Sequence, residues 1–262
     1  MNPDFELIDT HAHLYLPEFD DDREAMMDRA LQQGVKKIYL PNIDTASVEK
    51  MLDMEAAYPD ICYPMIGLHP CSVTSDFQKD MDILESWLDR HAFSAIGEVG
   101  TDLYWDKTYS AQQVTCLETQ ISWAKERNLP IVLHSRESLD LNIEIVTRFQ
   151  DGSLRGVFHC FTGTEEQAKR IIDLGFYLGI GGVITFKNSG VAEIVASLPL
   201  ESLVLETDAP YLAPHPYRGQ RNESSYIRLI AERVAVCKAK SLSTVCQATS
   251  QNALKLFAPS MV

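Results

Sequence analysis

Residues 95–134 read AIGEVGTDLYWDKTYSAQQVTCLETQISWAKERNLPIVLH. One short apolar run, Ala95–Glu98, ends in an acid, and another, Ile131–His134, ends in an imidazole. Between them Val114, Leu117, Ile121 and Ala124 recur at spacings of three, four and three, which lays one apolar stripe along a helix. A strand, a helix and a second strand in this order imply parallel strands joined by a right-handed crossover.

The same alternation runs in both directions from this stretch. Further strands are expected at Leu7–Asp9, Lys37–Leu40, Cys62–Gly67, Gly156–Cys160, Tyr177–Gly181 and Leu203–Glu206, each followed by a segment long enough for a helix. Ile227, Ile230, Ala231 and Val234 repeat the helical stripe near the C-terminus, and Leu242–Phe257 reads as an additional helix. An open doubly wound sheet would use the same alternation. However, no G-x-G-x-x-G follows the first strand and no G-x-x-x-x-G-K-[ST] occurs anywhere. Eight units is the number that closes a barrel. The expected fold is therefore an α/β (β/α)8 TIM barrel with an extra C-terminal helix, residues 1–262 forming one domain with no linker or repeat.

Composition bounds the function. The chain of 262 residues is 45% apolar and 23% charged, ordinary for a globular protein with a sizeable core. Its formal net charge is -14, against long-range attraction to nucleic acid through clustered cations. A local cationic site, especially one made by metal ions, remains compatible with that charge. The six cysteines include no C-x-x-C pair, and the opening MNPDFELID lacks the cationic and apolar regions of a signal peptide. The longest mainly apolar uncharged stretch, Phe176–Phe186, is too short for a membrane span. Reduced thiols, a cytoplasmic location, no membrane contact and no obligate protein partner are expected.

Of seven histidines, five (His11, His13, His69, His134 and His159) stand at or just past the C-terminal end of an expected strand. Those ends converge on one mouth of a barrel, where active sites of this fold are built. Residues two apart on a strand share a face, so His11 and His13 can grip one cation. Asp9 is expected to orient a histidine through its other ring nitrogen. Glu98, His134 and His159 close apolar runs, and Glu206 and Asp208 share a face in Leu203-Val-Leu-Glu-Thr-Asp208.

Taken singly, each has a plainer reading. A strand histidine is more often a hydrogen-bonded core residue, Glu98 an ion-paired strand end, and Asp208 before Ala-Pro a helix cap. Together they form a binuclear site. His11, His13 and Asp208 would hold one ion, His134 and His159 the other, and Glu98 would bridge. Mixed imidazole and carboxylate donors suit two borderline divalent ions such as Zn or Mn, with Mg also open. Asp208 would take a proton from a metal-activated water, with Glu206 supporting from one layer deeper and Asp102, four residues past Glu98, either a loop residue or a further support of the site.

With these residues in view, the chain resembles the TatD family of metal-dependent deoxyribonucleases. The matching segments are DTHAHL (9–14), GLHP (67–70), GEVGTDLYWD (97–106), PIVLHSRES (130–138), GVFHCFTGT (156–164), YLGIGGVITFKNS (177–189), ETDAPYLAP (206–214) and RGQRNE (218–223), spanning essentially the whole chain. The resemblance implies the same barrel, hydrolysis of phosphodiester bonds in DNA, and metal ligands at His11, His13, Glu98, His134, His159 and Asp208. Catalytic work would fall to Asp208, Glu98 and Glu206. Two positions depart from the pattern. Ser224 stands where a proline is common, and Thr101 where a leucine is frequent.

Around the expected mouth, Arg136, Lys187, Arg218 and Arg221 are candidates for phosphate, and Tyr211, Phe161, Tyr104 and Trp105 for stacking on bases. The leading expectation is a metal-dependent DNase, a 3′–5′ exonuclease acting on single-stranded DNA or DNA ends. The alternative is a binuclear hydrolase of a small amide, lactone or ester on the same barrel.

Overall fold

The computed structural model describes residues 5–258. Eight strands alternate with helices: β1 Leu7–Asp9, α1 Arg23–Gln32, β2 Val35–Pro41, α2 Val48–Ala57, β3 Cys62–Met65, α3 Phe77–Leu88, β4 Ile96–Asp102, α4 Ser110–Glu126, β5 Ile131–Arg136, α5 Leu139–Phe149, β6 Gly156–Phe158, α6 Glu165–Asp173, β7 Tyr177–Ile180, α7 Val191–Ser197, β8 Leu203–Leu205 and α8 Ile227–Lys238. A last helix, α9, spans Leu242–Phe257 as expected. Among the described residues no helix is long and apolar enough to cross a membrane.

All strand pairs are parallel and follow chain order, in one sheet of β1-β2-β3 and one of β4 to β8. Two single bridges, Ile66 with Ile96 and Ala12 with Ala209, join the sheets into a ring. Around them Ile66 N donates to Ala95 O (3.1 Å), Gly97 N to Ile66 O (2.8 Å) and His13 N to Ala209 O (2.7 Å). The result is a closed (β/α)8 barrel, in which no strand edge is left open.

Two apolar layers hold it together. Outside the strands, the stripe read from sequence on α4 is buried, with Leu117 and Ile121 at 0% exposure. Inside, Ile8, Tyr39, Met65, Ala95, Val132, Val157 and Val204 meet in one cluster, at the end of the barrel away from the strand-end histidines. Ala253, Leu256 and Phe257 of α9 close that end, the Phe257 ring stacking 3.8 Å from Tyr39. The extra helix is thus the plug of the barrel floor, and the opposite end stays open for chemistry.

Strand alternation then aims the site. Val132, Val157 and Val204 face the axis, so His134, His159 and Glu206, each two residues on, do so as well. On β4 the parity is reset: the register shifts between Ile96 and Val99, both of which pack outward, and Glu98 turns inward. On the first strand Ile8 faces in while Leu7 and Ala12 face out, so the alternation slips by one before His11. Pairing of β4 with β5 continues to Asp102 opposite Arg136, which carries β4 past the expected Glu98 and up to the mouth. Gly100 permits this pairing: its φ is +144°, and a Cβ there would lie 2.1 Å from His134 O.

Candidate metal centre

Glu98, 2% exposed, stands at the centre of the mouth with its two carboxylate oxygens divided. Oε2 lies 3.0 Å from His11 Nε2 and 3.6 Å from His13 Nε2. Oε1 lies 2.7 Å from His134 Nδ1, 2.8 Å from His159 Nε2 and 3.5 Å from His69 Nε2. Asp208 closes the first group, with Oδ1 3.8 Å from His11 Nε2 and 3.7 Å from His13 Nε2.

This arrangement over-subscribes the hydrogen bonds available. His11 Nε2 and His13 Nε2 face each other at 3.3 Å, where one proton at most can serve both nitrogens. Glu98 Oε1, with two lone pairs, faces three imidazole nitrogens. His11 Nδ1 and Glu206 Oε2 have no hydrogen-bond partner although buried. Donor atoms fall within 4.8 Å of one another in three sets: His11, His13 and Asp208; His11, Glu98 and His159; and His69, Glu98 and His134. Nitrogen and oxygen donors so placed fit borderline divalent cations.

Electrostatics follow the same division. Burial alone would raise Glu98, but His159, His11 and His69 hold its carboxyl well below the usual range. Burial opposes charge on His159, yet Glu98 and Glu206 raise it well above an ordinary imidazole. His134 is raised too, Asp102 and Glu98 outweighing burial. His11, by contrast, is lowered to about 3 by burial and by His159, whose ring stacks 3.9 Å away. Burial lifts Asp208 to about 6.

Behind the cluster lies a layer of supporting carboxylates. Asp102 Oδ2 accepts from His134 Nε2 at 3.1 Å. Glu206 Oε1 accepts from Cys160 N at 2.5 Å and lies 3.3 Å from His159 Nδ1. Gly179 makes room for Glu206, since a Cβ there would meet Oε2 at 2.2 Å. Asp9 departs from expectation and touches no imidazole. Its oxygens accept instead from Thr207 N and Oγ1, Ser224 Oγ and the backbone N–H of His11, clasping the ends of β1 and β8.

Among the residues read from sequence as substrate contacts, the structure separates two groups. Arg136, at the end of β5, and Lys187, Arg218 and Tyr211, on loops, are exposed at the mouth, with Tyr211 edge-on 6.1 Å from the His13 ring and Arg218 over Phe186 at 4.4 Å. Phe161 and Arg221 are corrected. Phe161 is 4% exposed and packed largely in the outer apolar layer, so it is no exposed stacking platform, although it lines a cavity beside His159. Arg221 forms a two-pronged pair with Asp22, at 2.6 and 2.9 Å, so its fork is already filled. A cavity of about 340 Å³ adjoins the centre, lined by His159, Ser135 and Gln167. A cleft of about 650 Å³ lies away from it on the barrel flank, where Arg29, Arg221 and Arg228 are each paired with carboxylates.

His69, one of the five strand-end histidines, serves both pocket and loop. Its Nδ1 accepts from Cys71 N while Nε2 approaches Glu98. The contact of Ser224 with Asp9 had no local signal, since 215 residues separate them. All six cysteines are unpaired.

The chain is similar to known proteins over nearly its whole length. A sequence profile described as TatD related DNase matches residues 8–258. A Bacillus subtilis protein described as an uncharacterized metal-dependent hydrolase is 36% identical over 252 residues, covering 96% of this chain and 98% of its own. The 3′-5′ ssDNA/RNA exonuclease TatD of Pantoea ananatis is 30% identical, covering 96% and 99%. The crystal structure of the TatD homolog YjjV from Escherichia coli superposes with a TM-score of 0.91 at 33% identity, over 97% of this chain and 98% of that one.

Proposed function

The chain belongs to the TatD-related DNases, a family of metal-dependent hydrolases, and on that premise we propose that it removes nucleotides stepwise from the 3′ end of single-stranded DNA or from unpaired DNA ends. The observation that supports this most is Glu98, whose two oxygens each face a separate group of imidazoles. His11, His13 and Asp208 would hold one divalent ion, His134 and His159 a second, and Glu98 would span both. His69 stands close enough to steady the second group. Two such ions, whether Zn, Mn or Mg, would lower the pKa of water and neutralise the charge on phosphodiester oxygens.

The protein groups then divide the remaining work. Asp208 would also accept the proton of the attacking water, through the carboxylate oxygen that does not face His11 and His13. Arg136 holds a phosphate oxygen through its in-plane N–H groups, and Lys187 and Arg218 approach the strand from the loops after β7 and β8. Tyr211 packs beside the substrate next to His13. Glu206 fixes the orientation of His159 through Nδ1.

One observation favours a second reading, hydrolysis of a small amide, lactone or ester. The net charge is -14 and the exposed cations at the mouth are few, so no long track for a DNA strand is evident. A panel of small esters, lactones and amides assayed beside labelled oligonucleotides decides between them. Turnover confined to the oligonucleotides supports the nuclease, and turnover confined to the small molecules overturns it.

A further inference from the structure

The exposed large aromatic side chains of this protein are gathered at the mouth. Tyr104 is 48% exposed, Trp105 68% and Tyr211 47%; of the exposed aliphatic residues Leu212 adjoins Tyr211, while Ile83, Val236 and Leu254 are scattered singly over helices. Tyr104 and Trp105 follow directly on β4, their rings edge to face at 4.9 Å. The Arg136 guanidinium, at the end of β5, lies 4.1 Å from the Tyr104 ring centre and 5.2 Å from that of Trp105. Unlike Arg29 and Arg221, Arg136 has no carboxylate partner among the described residues, so its N–H donors stay free. A guanidinium over an aromatic face can keep in-plane N–H donors available to a phosphate.

The position of this group is set by one carboxylate. Asp102 Oδ1 accepts the backbone N–H groups of Tyr104 (2.9 Å) and Trp105 (3.1 Å), while Oδ2 accepts His134 Nε2. The aromatic loop and an imidazole of the metal centre are thereby registered against the same side chain. Leu103 N donates to Arg136 O at 2.9 Å, which fastens the loop to β5 as well.

We propose that Tyr104, Trp105 and Arg136 form a ledge on which an unpaired nucleobase stacks, held at a fixed offset from the metal centre by Asp102. The proposal rests on the nuclease reading and names the part of the substrate this face takes. The base lies on the open face of Trp105, and Arg136 reaches the phosphate of the same nucleotide. Stacking of this kind tolerates any base, because every base has a π face. It also requires a base whose face is free. A base inside a duplex is covered on both sides, so the ledge selects single strands and frayed ends without a single base-specific hydrogen bond.

The test uses metal-loaded protein and two 5′-fluorescein decamers, decathymidylate and its abasic counterpart, both phosphorothioate-linked so that they survive the measurement. Fluorescence anisotropy reads the ratio of their dissociation constants. The ledge predicts that wild type binds the base-bearing strand about tenfold or more tighter. That ratio should fall towards one in Trp105→Ala and be restored in Trp105→Phe, which keeps an aromatic face. A ratio in Trp105→Ala equal to wild type, or no preference in wild type, overturns the ledge. The ordinary phosphodiester decathymidylate is incubated in parallel. Its survival alongside an intact binding preference would count against the nuclease reading alone, so the two failures are distinguishable.

Discussion

Ser224 donates a hydrogen bond of 2.7 Å to Asp9 Oδ2, joining two buried residues from opposite ends of the chain. Asp9 also accepts from Thr207 and from the N–H of His11, so one carboxylate ties the end of β1 to the segment that carries Asp208. A proline at 224 has no hydroxyl to offer. Replacing Ser224 by Ala should leave a buried acceptor under-satisfied and cost about 1–3 kcal/mol of stability. The urea midpoint reads this directly. An unchanged midpoint would show that the clasp contributes nothing.

Thr101 presents the parallel case on the other side of the mouth. Its Oγ1 donates to Asn142 Oδ1 at 2.8 Å, and Asn142 Nδ2 donates to His134 O at 2.7 Å. Thr101→Val keeps the shape and removes the donor. It should lower stability by about 1–2 kcal/mol, and because Asn142 then loses one tether, metal affinity at His134 should weaken as well. Calorimetric titration with Zn or Mn compares the two proteins. Equal metal affinity in both would confine Thr101 to folding.

How much of this was legible in the sequence depends on the range of each contact. His134 and His159 could be aimed from their own strands, because Val132 and Val157 two residues earlier face the axis. Glu98 and His11 were recognisable by type and by their place at strand ends, but strict alternation would have sent them outward. The register shift on β4 and the slip after Ile8 correct that, and neither has a marker in the local residues. Phe161 looked available because it follows His159. Cys160, however, adopts a left-handed φ of 47°, and the chain turns Phe161 back into the apolar layer. Arg221 read as a free cation because its partner Asp22 lies 199 residues away. Burial, charge type and strand-end position are local properties. Pairing across the barrel is not.

That Arg221 pair gives a pH prediction. Arg221 and Arg29 hold the Asp22 carboxyl well below its ordinary value. A carboxyl depressed in the folded state favours folding above its unfolded value, about pH 4, and this advantage is lost as the pH falls through the folded value. Asp22→Asn should therefore be less stable than wild type at pH 7, with the gap narrowing below about pH 4. The effect is modest, because the side chain is 32% exposed and screened by solvent. A gap of the same size at pH 7 and pH 3 would remove Asp22 as its source.

On the proposed two-ion reading, Glu98 matters to both ions at once. Glu98→Gln keeps the volume but removes the negative charge facing His11, His134 and His159. Metal content after reconstitution and desalting should fall from about two ions per chain to one or none, with turnover lost in proportion. Plasma mass spectrometry gives the count. Two ions retained in Glu98→Gln would mean that the carboxylate does not span them.

The central claim is tested most directly by incubating metal-reconstituted protein with 5′-labelled single-stranded DNA, beside chelator and a His134→Ala, His159→Ala variant. A ladder of progressively shortened labelled products, abolished by chelator and by the double variant, is the predicted result. Intact substrate across Mg, Mn and Zn, or shortening that survives both controls, would contradict it.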